Sequence, residues 1–342
     1  MPCKIKQYNK NPMVWWSRDV NYIRGVGRRP IEKCRRHKVR TPPMNLWQNY
    51  LRPKTLAEAM DAFSSAPKPL APIAGGTDLL LDLEQRRHSP VHTLIDVTEI
   101  EELLALELRA DSLFIGAGVP VNRIVLDPLI GVHAQALVEA CELIGGPQVR
   151  NVATLGGNVA HALPAADGTI ALLALDVQAE IAGRVALSDS EERIETRRVP
   201  FKELFLGPGK SSLKHGEELL VGFYLPLSTS HQASCFKRIM RPQGVALPII
   251  NVAIWLEREK DIIKDIRIAV GPGAAIPWRA PATEQILLGK SMNDETVETA
   301  LEILLAHVGF RSSLRRASAD YRRHLVESLF KNTIESAWKR AG

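Results

Sequence analysis

Two short segments of the sequence place paired glycines beside hydroxyl and other polar groups. The first reads Pro72-Ile73-Ala74-Gly75-Gly76-Thr77-Asp78-Leu79, and the second reads Thr154-Leu155-Gly156-Gly157-Asn158. Glycines let backbone N–H groups approach a phosphate closely, and a helix that starts after such a segment favours an anion at its N-terminus. Either segment alone is also typical of a plain tight turn. Together they indicate a diphosphate held from two sides.

Other nucleotide-binding and metal-binding patterns are excluded or absent. The spacing of the glycine pairs excludes a G-x-G-x-x-G dinucleotide fold, in which one loop does this work within a single βαβ unit. The P-loop sequence is not present. The cysteines Cys3, Cys34, Cys141 and Cys235 form no C-x-x-C pair, and the nine histidines are scattered. Since iron–sulfur and zinc sites need several ligands at short intervals, we expect no metal bound by this chain and assign no catalytic residue.

The elements that must position the glycine segments follow from capping and periodicity. Thr55-Leu56-Ala57-Glu58 is a capping box that predicts a helix to about Phe63. Apolar runs predict strands at 70–74, 93–97, 113–116, 177–181 and 219–225, with helices at 77–86, 131–144 and 165–175. From about residue 230 the pattern changes to strands at 233–239, 252–257 and 263–270, followed by helices from about 282, 294 and 314. Consecutive strands before consecutive helices predict a separate α+β layer.

Composition and charge describe an ordinary globular chain with a basic start. The chain has 342 residues, of which 45% are hydrophobic, and a mean hydropathy of −0.07. The sequence shows no secretory signal, and it contains no apolar run long enough to span a membrane. We therefore expect a cytoplasmic protein. Residues 1–43 carry a net charge of +10, so the remainder carries −4 of the total of +6. A disordered extension, an upstream translation start or an arm for an acidic partner all fit this segment, and the acidic remainder argues against nucleic-acid binding.

Four segments resemble the FAD-binding subunits of molybdenum hydroxylases, the family of xanthine and aerobic carbon-monoxide dehydrogenases. Residues 74–80 are similar to the family's first flavin-binding motif, and residues 144–158 are similar to its second. Leu163-Pro164-Ala165-Ala166-Asp167 resembles the stretch that follows, and residues 316–325 resemble the closing helix. The resemblance covers residues 44 to about 335, with the four motifs in the family's order and spacing.

This resemblance implies a fold and a domain division. The family's fold is the α+β, vanillyl-alcohol-oxidase or PCMH-type FAD-binding fold, in which two α/β subdomains sandwich FAD and a C-terminal α+β domain follows. We therefore expect a disordered extension at 1–43, an FAD-binding domain at 44–228 and a C-terminal domain at 229–342.

The resemblance also implies a set of contacts to non-covalently bound FAD. Residues 72–79 and 154–158 would hold the pyrophosphate, and Asp167 would accept hydrogen bonds from the hydroxylated chain of the flavin. Ile144 and Leu220 would lie near the flavin ring, with Lys237 close to it. Simpler roles stay open for these four residues: the end of a core helix for Ile144, a helix-start carboxylate for Asp167, a core leucine for Leu220 and an exposed strand lysine for Lys237.

The implied function is electron transfer within a larger enzyme. A molybdopterin-binding large subunit would oxidise the substrate, a [2Fe-2S] small subunit would deliver electrons, and this chain would pass them to NAD, a quinone or O₂, in a dimer of heterotrimers. The stretch 240–245 lacks the acid that relatives carry there, so the acceptor stays open, and residues 207–210 look slightly more like purine-type dehydrogenases. The alternatives are a standalone flavin-dependent oxidoreductase, a non-catalytic assembly protein and a nucleic-acid-associated protein.

Overall fold

Four β-sheets and the helices packed on them make up the described part of the chain. The computed structural model describes residues 46–188, 191–241, 247–314 and 316–342. The basic segment 1–43 lies outside these residues, as does most of the acid-free stretch 240–245. By their internal contacts, residues Asn45–Gly342 form one unit.

The strands and helices are numbered in chain order. The strands are β1 (Asn49–Leu51), β2 (Leu70–Ile73), β3 (Thr93–Asp96), β4 (Leu106–Arg109), β5 (Ser112–Gly116), β6 (Gln178–Ser188), β7 (Glu191–Pro200), β8 (Phe205–Gly207), β9 (Lys210–Ser211), β10 (Glu218–Pro226), β11 (Gln232–Met240), β12 (Pro248–Glu259), β13 (Ile262–Gly271) and β14 (Trp278–Arg279). The helices are α1 (Leu56–Ser65), α2 (Leu79–Glu84), α3 (Glu101–Leu104), α4 (Val121–Leu126), α5 (Pro128–His133), α6 (Gln135–Glu142), α7 (Pro147–Arg150), α8 (Leu155–Ala160), α9 (Asp167–Ala174), α10 (Pro281–Leu287), α11 (Asp294–His307) and α12 (Ala319–Arg340), with a 3₁₀ turn at Phe201–Leu204.

A small parallel sheet in the order β1-β3-β2 delivers the first glycine segment, since the chain leaves β2 directly into it. The helix α1 before β2 begins as predicted. The Thr55 hydroxyl accepts from the amide of Glu58 at 3.2 Å, and the Glu58 carboxylate accepts from the amide of Lys54 at 2.7 Å. The first bond satisfies an amide that has no partner inside the first turn of the helix, and the second holds the chain that leads into it.

A five-stranded antiparallel sheet in the order β4-β5-β10-β6-β7 forms the second layer. The predicted strands at 113–116, 177–181 and 219–225 correspond to β5, β6 and β10. The sequence did not reveal β7, because this edge strand is rich in glutamate and arginine and has no buried face to impose an apolar alternation.

A four-stranded antiparallel sheet in the order β11-β12-β13-β14 carries a different core on each face. Phe236 and Ala253 belong to the core shared with α6 and α9, whereas Cys235 and Ile254 belong to the core shared with α10 to α12. Successive residues of a strand point to opposite faces, so β11 and β12 contribute to both cores. The α+β fold class predicted from the sequence is confirmed. No helix within the described ranges is long and apolar enough to cross a membrane.

The predicted single helix at 131–144 is wrong, because the chain breaks at Ala134. This residue has φ −146° and ψ 51°, which ends α5 and starts α6. Ser228 secures the break: its hydroxyl donates to the His133 carbonyl at 2.8 Å, and its amide donates to Nδ1 of His133 at 3.1 Å. A contact nearly a hundred residues away therefore overrides the local helical pattern.

Candidate functional site

The first glycine segment turns sharply between β2 and α2. Gly76 has φ +68°, in the left-handed region that favours glycine. Gly75 has a different requirement. A Cβ on Gly75 would lie 2.0 Å from the carbonyl oxygen of Val152 and 2.8 Å from the amide nitrogen of Ala153. Gly75 is therefore needed for a close approach of two backbones rather than for its φ angle.

The second glycine segment is the first turn of a helix rather than the loop that the sequence suggested. Thr154 is the N-cap of α8, and its hydroxyl accepts from the amide of Gly157 at 3.1 Å. A Cβ on Gly156 would lie 2.5 Å from the carbonyl oxygen of Ala117, so this glycine lets the helix pack closely on the chain after β5. Asn158 accepts from the amide of Thr169 at 3.2 Å and thereby links α8 to α9.

The two glycine segments meet at one cavity. Gly75 contacts the backbone immediately before Thr154, and both segments line a space of about 840 Å³. This volume lies within the range of small-molecule and cofactor pockets. Residues of the stretch 206–218 line another part of the cavity, and Arg238, Leu247, Pro248 and Arg316 also line it.

Most residues predicted for the site line this cavity, and four do not. Those that line it are Pro72, Ile73, Ala74, Gly75, Gly76, Thr77, Asp78, Leu79, Ile144, Thr154, Gly157, Asn158 and Asp167. Leu155 and Gly156 lie buried behind the cavity in the first turn of α8. Leu220 is buried in β10 as part of the main core, and it is outside the lining.

Lys237 also lies outside the lining, and its neighbour Arg238 takes the position facing the cavity. The reason is the alternation of side chains along β11. Lys237 shares its face of the strand with Cys235 and interacts electrostatically with Glu335 of α12. Lys237, which was expected beside the cofactor, is therefore outside the lining of this cavity, whereas Arg238, which the sequence analysis missed, lines it.

Ile144 lies half-buried where α6 gives way to α7. The next residue, Gly145, has φ +56°. The guanidinium of Arg150 donates to the carbonyl oxygens of Ile144 and Gly145, at 3.4 and 3.0 Å. These bonds fix the backbone of Ile144 at the edge of the cavity.

A buried polar cluster surrounds Asp167, the first residue of α9. Arg238 Nη1 donates to Asp167 Oδ2, and Asn251 Nδ2 donates to Asp167 Oδ1 at 2.7 Å. Burial raises the pKa of Asp167 to about 6, against the opposing influence of Arg238 and Asn251. Neither partner was predicted from the sequence, since the two residues lie 71 and 84 positions after Asp167 along the chain.

A second, more exposed charged group lies at the mouth of the cavity. His161 Nδ1 is 3.5 Å from Asp78 Oδ1, and His161 Nε2 is 3.7 Å from Asp82 Oδ2. The hydrogen bond with Asp78 raises the pKa of His161, and the same bond lowers the pKa of Asp78. This pair joins α2 to the end of α8, and so links the two glycine-bearing elements. Within the described ranges, no group of three or more histidine, cysteine or acidic side chains is placed to hold a metal ion.

Comparison with known proteins gives consistent matches along almost the whole described chain. Residues 43–228 match the FAD binding domain in molybdopterin dehydrogenase, and residues 234–337 match the CO dehydrogenase flavoprotein C-terminal domain. The putative xanthine dehydrogenase FAD-binding subunit of Escherichia coli strain K12 is 33% identical over 297 residues, 86% of this chain and 97% of that protein. The carbon monoxide dehydrogenase medium chain of Hydrogenophaga pseudoflava is 27% identical over 85% of this chain and 97% of its own length.

Two solved structures agree with this assignment at the level of the backbone. A chain of carbon monoxide dehydrogenase from Hydrogenophaga pseudoflava superposes with a TM-score of 0.77 at 26% identity, covering 86% of this chain and 98% of that chain. A chain of quinoline 2-oxidoreductase from Pseudomonas putida 86 gives 0.76 at 26% identity with the same coverage.

Proposed function

Because this chain belongs to the family of FAD-binding subunits of molybdopterin dehydrogenases, we propose that it relays electrons within a larger enzyme. It is an oxidoreductase component, and its cofactor is FAD. In the proposed role it takes electrons from a [2Fe-2S] partner and passes them to an external acceptor such as NAD or a quinone. Bound flavin supplies the redox chemistry, while the protein positions and tunes it.

The observation that carries the proposal is the meeting of the two glycine segments at one cavity. Gly75 has no room for a side chain against the chain before Thr154, so the two backbones lie in direct contact beside the cavity that both segments line. Within the described residues, the amides of Gly75, Gly76 and Thr77 have no hydrogen-bond acceptor. Such amides are suitable donors to phosphate oxygens.

An unpaired polar group in the cavity wall also fits a hydroxylated cofactor. Arg238 lines the cavity, and its Nε is buried without a hydrogen-bond partner among the described residues. A buried donor is costly unless paired, so its presence beside Asp167 favours a polar ligand. We assign residues 72–79 together with Thr154, Gly157 and Asn158 to the pyrophosphate, with Leu155 and Gly156 supporting the second segment from behind. We assign Asp167 to the hydroxylated chain and place Ile144 near the ring.

The relatives support the proposed partners, and the two matched regions support the proposed domain division. Several relatives are described as medium chains or FAD subunits, which supports an assembly with a [2Fe-2S] small subunit and a molybdopterin-binding large subunit. We propose a dimer of such heterotrimers in the cytoplasm, where the free buried thiols of Cys141 and Cys235 would stay reduced. We also propose an FAD-binding domain at 44–228 and a C-terminal domain at 229–342.

The cofactor proposal is tested on the purified chain. We expect a yellow protein with one FAD per chain, released by denaturation because it is not covalently bound. A colourless chain that cannot be loaded with FAD would refute the proposal.

The electron-relay proposal is tested on the assembled enzyme after removal of FAD. We expect substrate still to reduce the iron–sulfur centres, while reduction of NAD or quinone is lost and returns when FAD is added back. Unchanged acceptor reduction without FAD would contradict the relay. Turnover of an organic substrate by the isolated chain would instead favour a standalone flavin-dependent oxidoreductase.

A further inference from the structure

The cluster around Asp167 joins the two sequence-matched regions of the chain at the wall of the cavity. Asp167 begins α9 in the first region, whereas Arg238 and Asn251 lie in the sheet of the second. Arg238 and Asn251 are directly opposite each other across β11 and β12, so their side chains share one face. The side chains of Asp167 and Arg238 are each only 5% exposed.

A glycine on a third strand, β13, leaves space for the side chain of Asn251. Gly271 of β13 is paired with Asn251, and a Cβ on Gly271 would lie 2.3 Å from Asn251 Oδ1. The absent side chain therefore leaves space for the carboxamide. Its Nδ2 donates both to Asp167 Oδ1, at 2.7 Å, and to the carbonyl oxygen of Ala165, at 3.1 Å. The carboxamide is held against the residues that lead into α9.

The two partners oppose the effect of burial on Asp167. Burial alone favours the neutral acid, and the positive charge of Arg238 and the hydrogen bond from Asn251 favour the carboxylate. An ionised carboxylate can accept about four hydrogen bonds, of which Arg238 and Asn251 supply two. The remaining lone pairs are available to a ligand in the cavity.

We propose that Arg238 and Asn251 are positioning residues, which hold Asp167 as an ionised hydrogen-bond acceptor in the wall of the FAD cavity. The C-terminal region thereby takes part in retaining the cofactor. This inference rests on the proposed function, because it takes FAD as the ligand of the cavity.

The other group that faces Asp167 among the described residues is the thiol of Cys141 on α6. Burial raises the pKa of this thiol, so it stays neutral and does not compete with Arg238 for control of the carboxylate. The pair of Asp78 and His161 titrates at the mouth of the cavity and is the same in every variant below. Differences between variants therefore report on Asp167.

The test is the dissociation constant of FAD for the full chain, measured from pH 5 to 9. In the wild-type chain we expect affinity to fall as pH decreases through about 6, where Asp167 becomes protonated. In Arg238→Gln we expect the midpoint of this fall to move upward by about one to three pH units, because the opposite charge is lost. Arg238→Lys keeps the charge, so its midpoint should lie near that of the wild-type chain.

Three further variants separate positioning from other roles. Asn251→Asp places a second carboxylate against Asp167 and should also move the midpoint upward, without loss of volume. Asp167→Asn should abolish the fall in FAD affinity at low pH. The double variant Asp167→Asn with Arg238→Gln should show the same pH profile as Asp167→Asn alone. Arg316→Gln removes another positive charge from the cavity lining and should lower affinity by the same factor at every pH.

The outcomes distinguish this inference from the proposed function. The wild-type chain could bind FAD while Arg238→Gln and Asn251→Asp show the wild-type midpoint for the pH-dependent fall in FAD affinity. In that case the positioning role is overturned and the cofactor proposal stands. A further change in the pH profile when Arg238→Gln is added to Asp167→Asn would show that Arg238 does not act on this profile through Asp167, and would also overturn the positioning role. A wild-type chain that binds no FAD at any pH would overturn both.

Discussion

Replacing Gly75 with alanine tests whether the close approach of the two glycine segments organises the cavity. The added methyl carbon would lie 2.0 Å from the carbonyl oxygen of Val152, 2.5 Å from its carbonyl carbon and 2.8 Å from the amide nitrogen of Ala153. All three are backbone atoms, so no side-chain rotation relieves the contact. Gly75 is not among the residues with positive φ, and the effect is therefore steric rather than conformational.

The size of the effect follows from these distances. The shortest contact falls about 1.4 Å below the ordinary contact distance of 3.4 Å, so the two backbones must separate by about that amount. Overpacking of this kind costs about 1–3 kcal/mol. If the FAD-bound state were destabilised by about 3 kcal/mol relative to the free chain, the Kd for FAD would rise about a hundredfold. We expect Gly75→Ala to be near this upper end, because backbone rather than a flexible side chain must move.

The assay is equilibrium binding of FAD, followed by the change in flavin fluorescence, with thermal unfolding of each variant as a check on folding. Gly131→Ala is the matched control, since nothing lies within 4 Å of its added carbon and alanine is well tolerated in a helix. Gly157→Ala gives an intermediate case, with one contact of 3.2 Å to the hydroxyl of Thr154. We expect the loss of affinity to increase from Gly131 to Gly157 to Gly75.

A folded Gly75→Ala protein with an unchanged Kd for FAD would refute this reasoning. It would mean that the cofactor does not depend on the contact between the two segments. An equal loss of affinity in Gly131→Ala would also contradict it, because the effect would then not report on this contact.

Three further substitutions test the elements that support the site. Thr154→Ala removes the N-cap of α8 and should lower the free energy of unfolding by about 1 kcal/mol, which Thr154→Ser should largely restore. The bond to Asp78 raises the pKa of His161, so protonated His161 stabilises the folded protein. This stabilisation is complete below about pH 6.5, the pKa of an unperturbed histidine, and is lost as pH rises through the raised pKa. The free energy of unfolding of His161→Gln should therefore differ most from that of the wild-type chain near pH 6 and least near pH 9. Glu284→Ala leaves the buried amide of Ile268 in β13 and the Nε and Nη2 of Arg279 without their acceptor, and should cost about 3 kcal/mol. The exposed Glu298→Ala should cost about 0–1 kcal/mol.

Each of these expectations has a result that contradicts it. Equal stabilities of the alanine and serine variants at Thr154 would exclude the capping bond as the cause. A stability difference at His161 that grows with pH would have the wrong sign for a histidine stabilised in its charged form. If Glu284→Ala and Glu298→Ala lowered the free energy of unfolding by similar amounts, burial would not decide the cost of removing a glutamate here.

The sequence by itself determined the features that depend on neighbours along the chain. The capping box at Thr55, the apolar runs of β5, β10, β12 and β13 and the glycine pairs are all local patterns. Local hydrogen bonding and the alternation of side chains are enough to specify such elements. For the same reason the family resemblance could be stated from short motifs, and the matches to FAD-binding and flavoprotein C-terminal domains confirm it.

Only the tertiary structure decided which polar groups meet at the cavity. Lys237 and Arg238 are adjacent in sequence, but they lie on opposite faces of β11. Arg238 faces Asp167 and the cavity, whereas Lys237 lies outside the cavity lining. Asn251 and the break at Ala134 likewise depend on partners far along the chain. A sequence pattern does not specify which distant backbone a glycine will touch or which face of a strand will be covered, because both depend on how separate elements pack against each other.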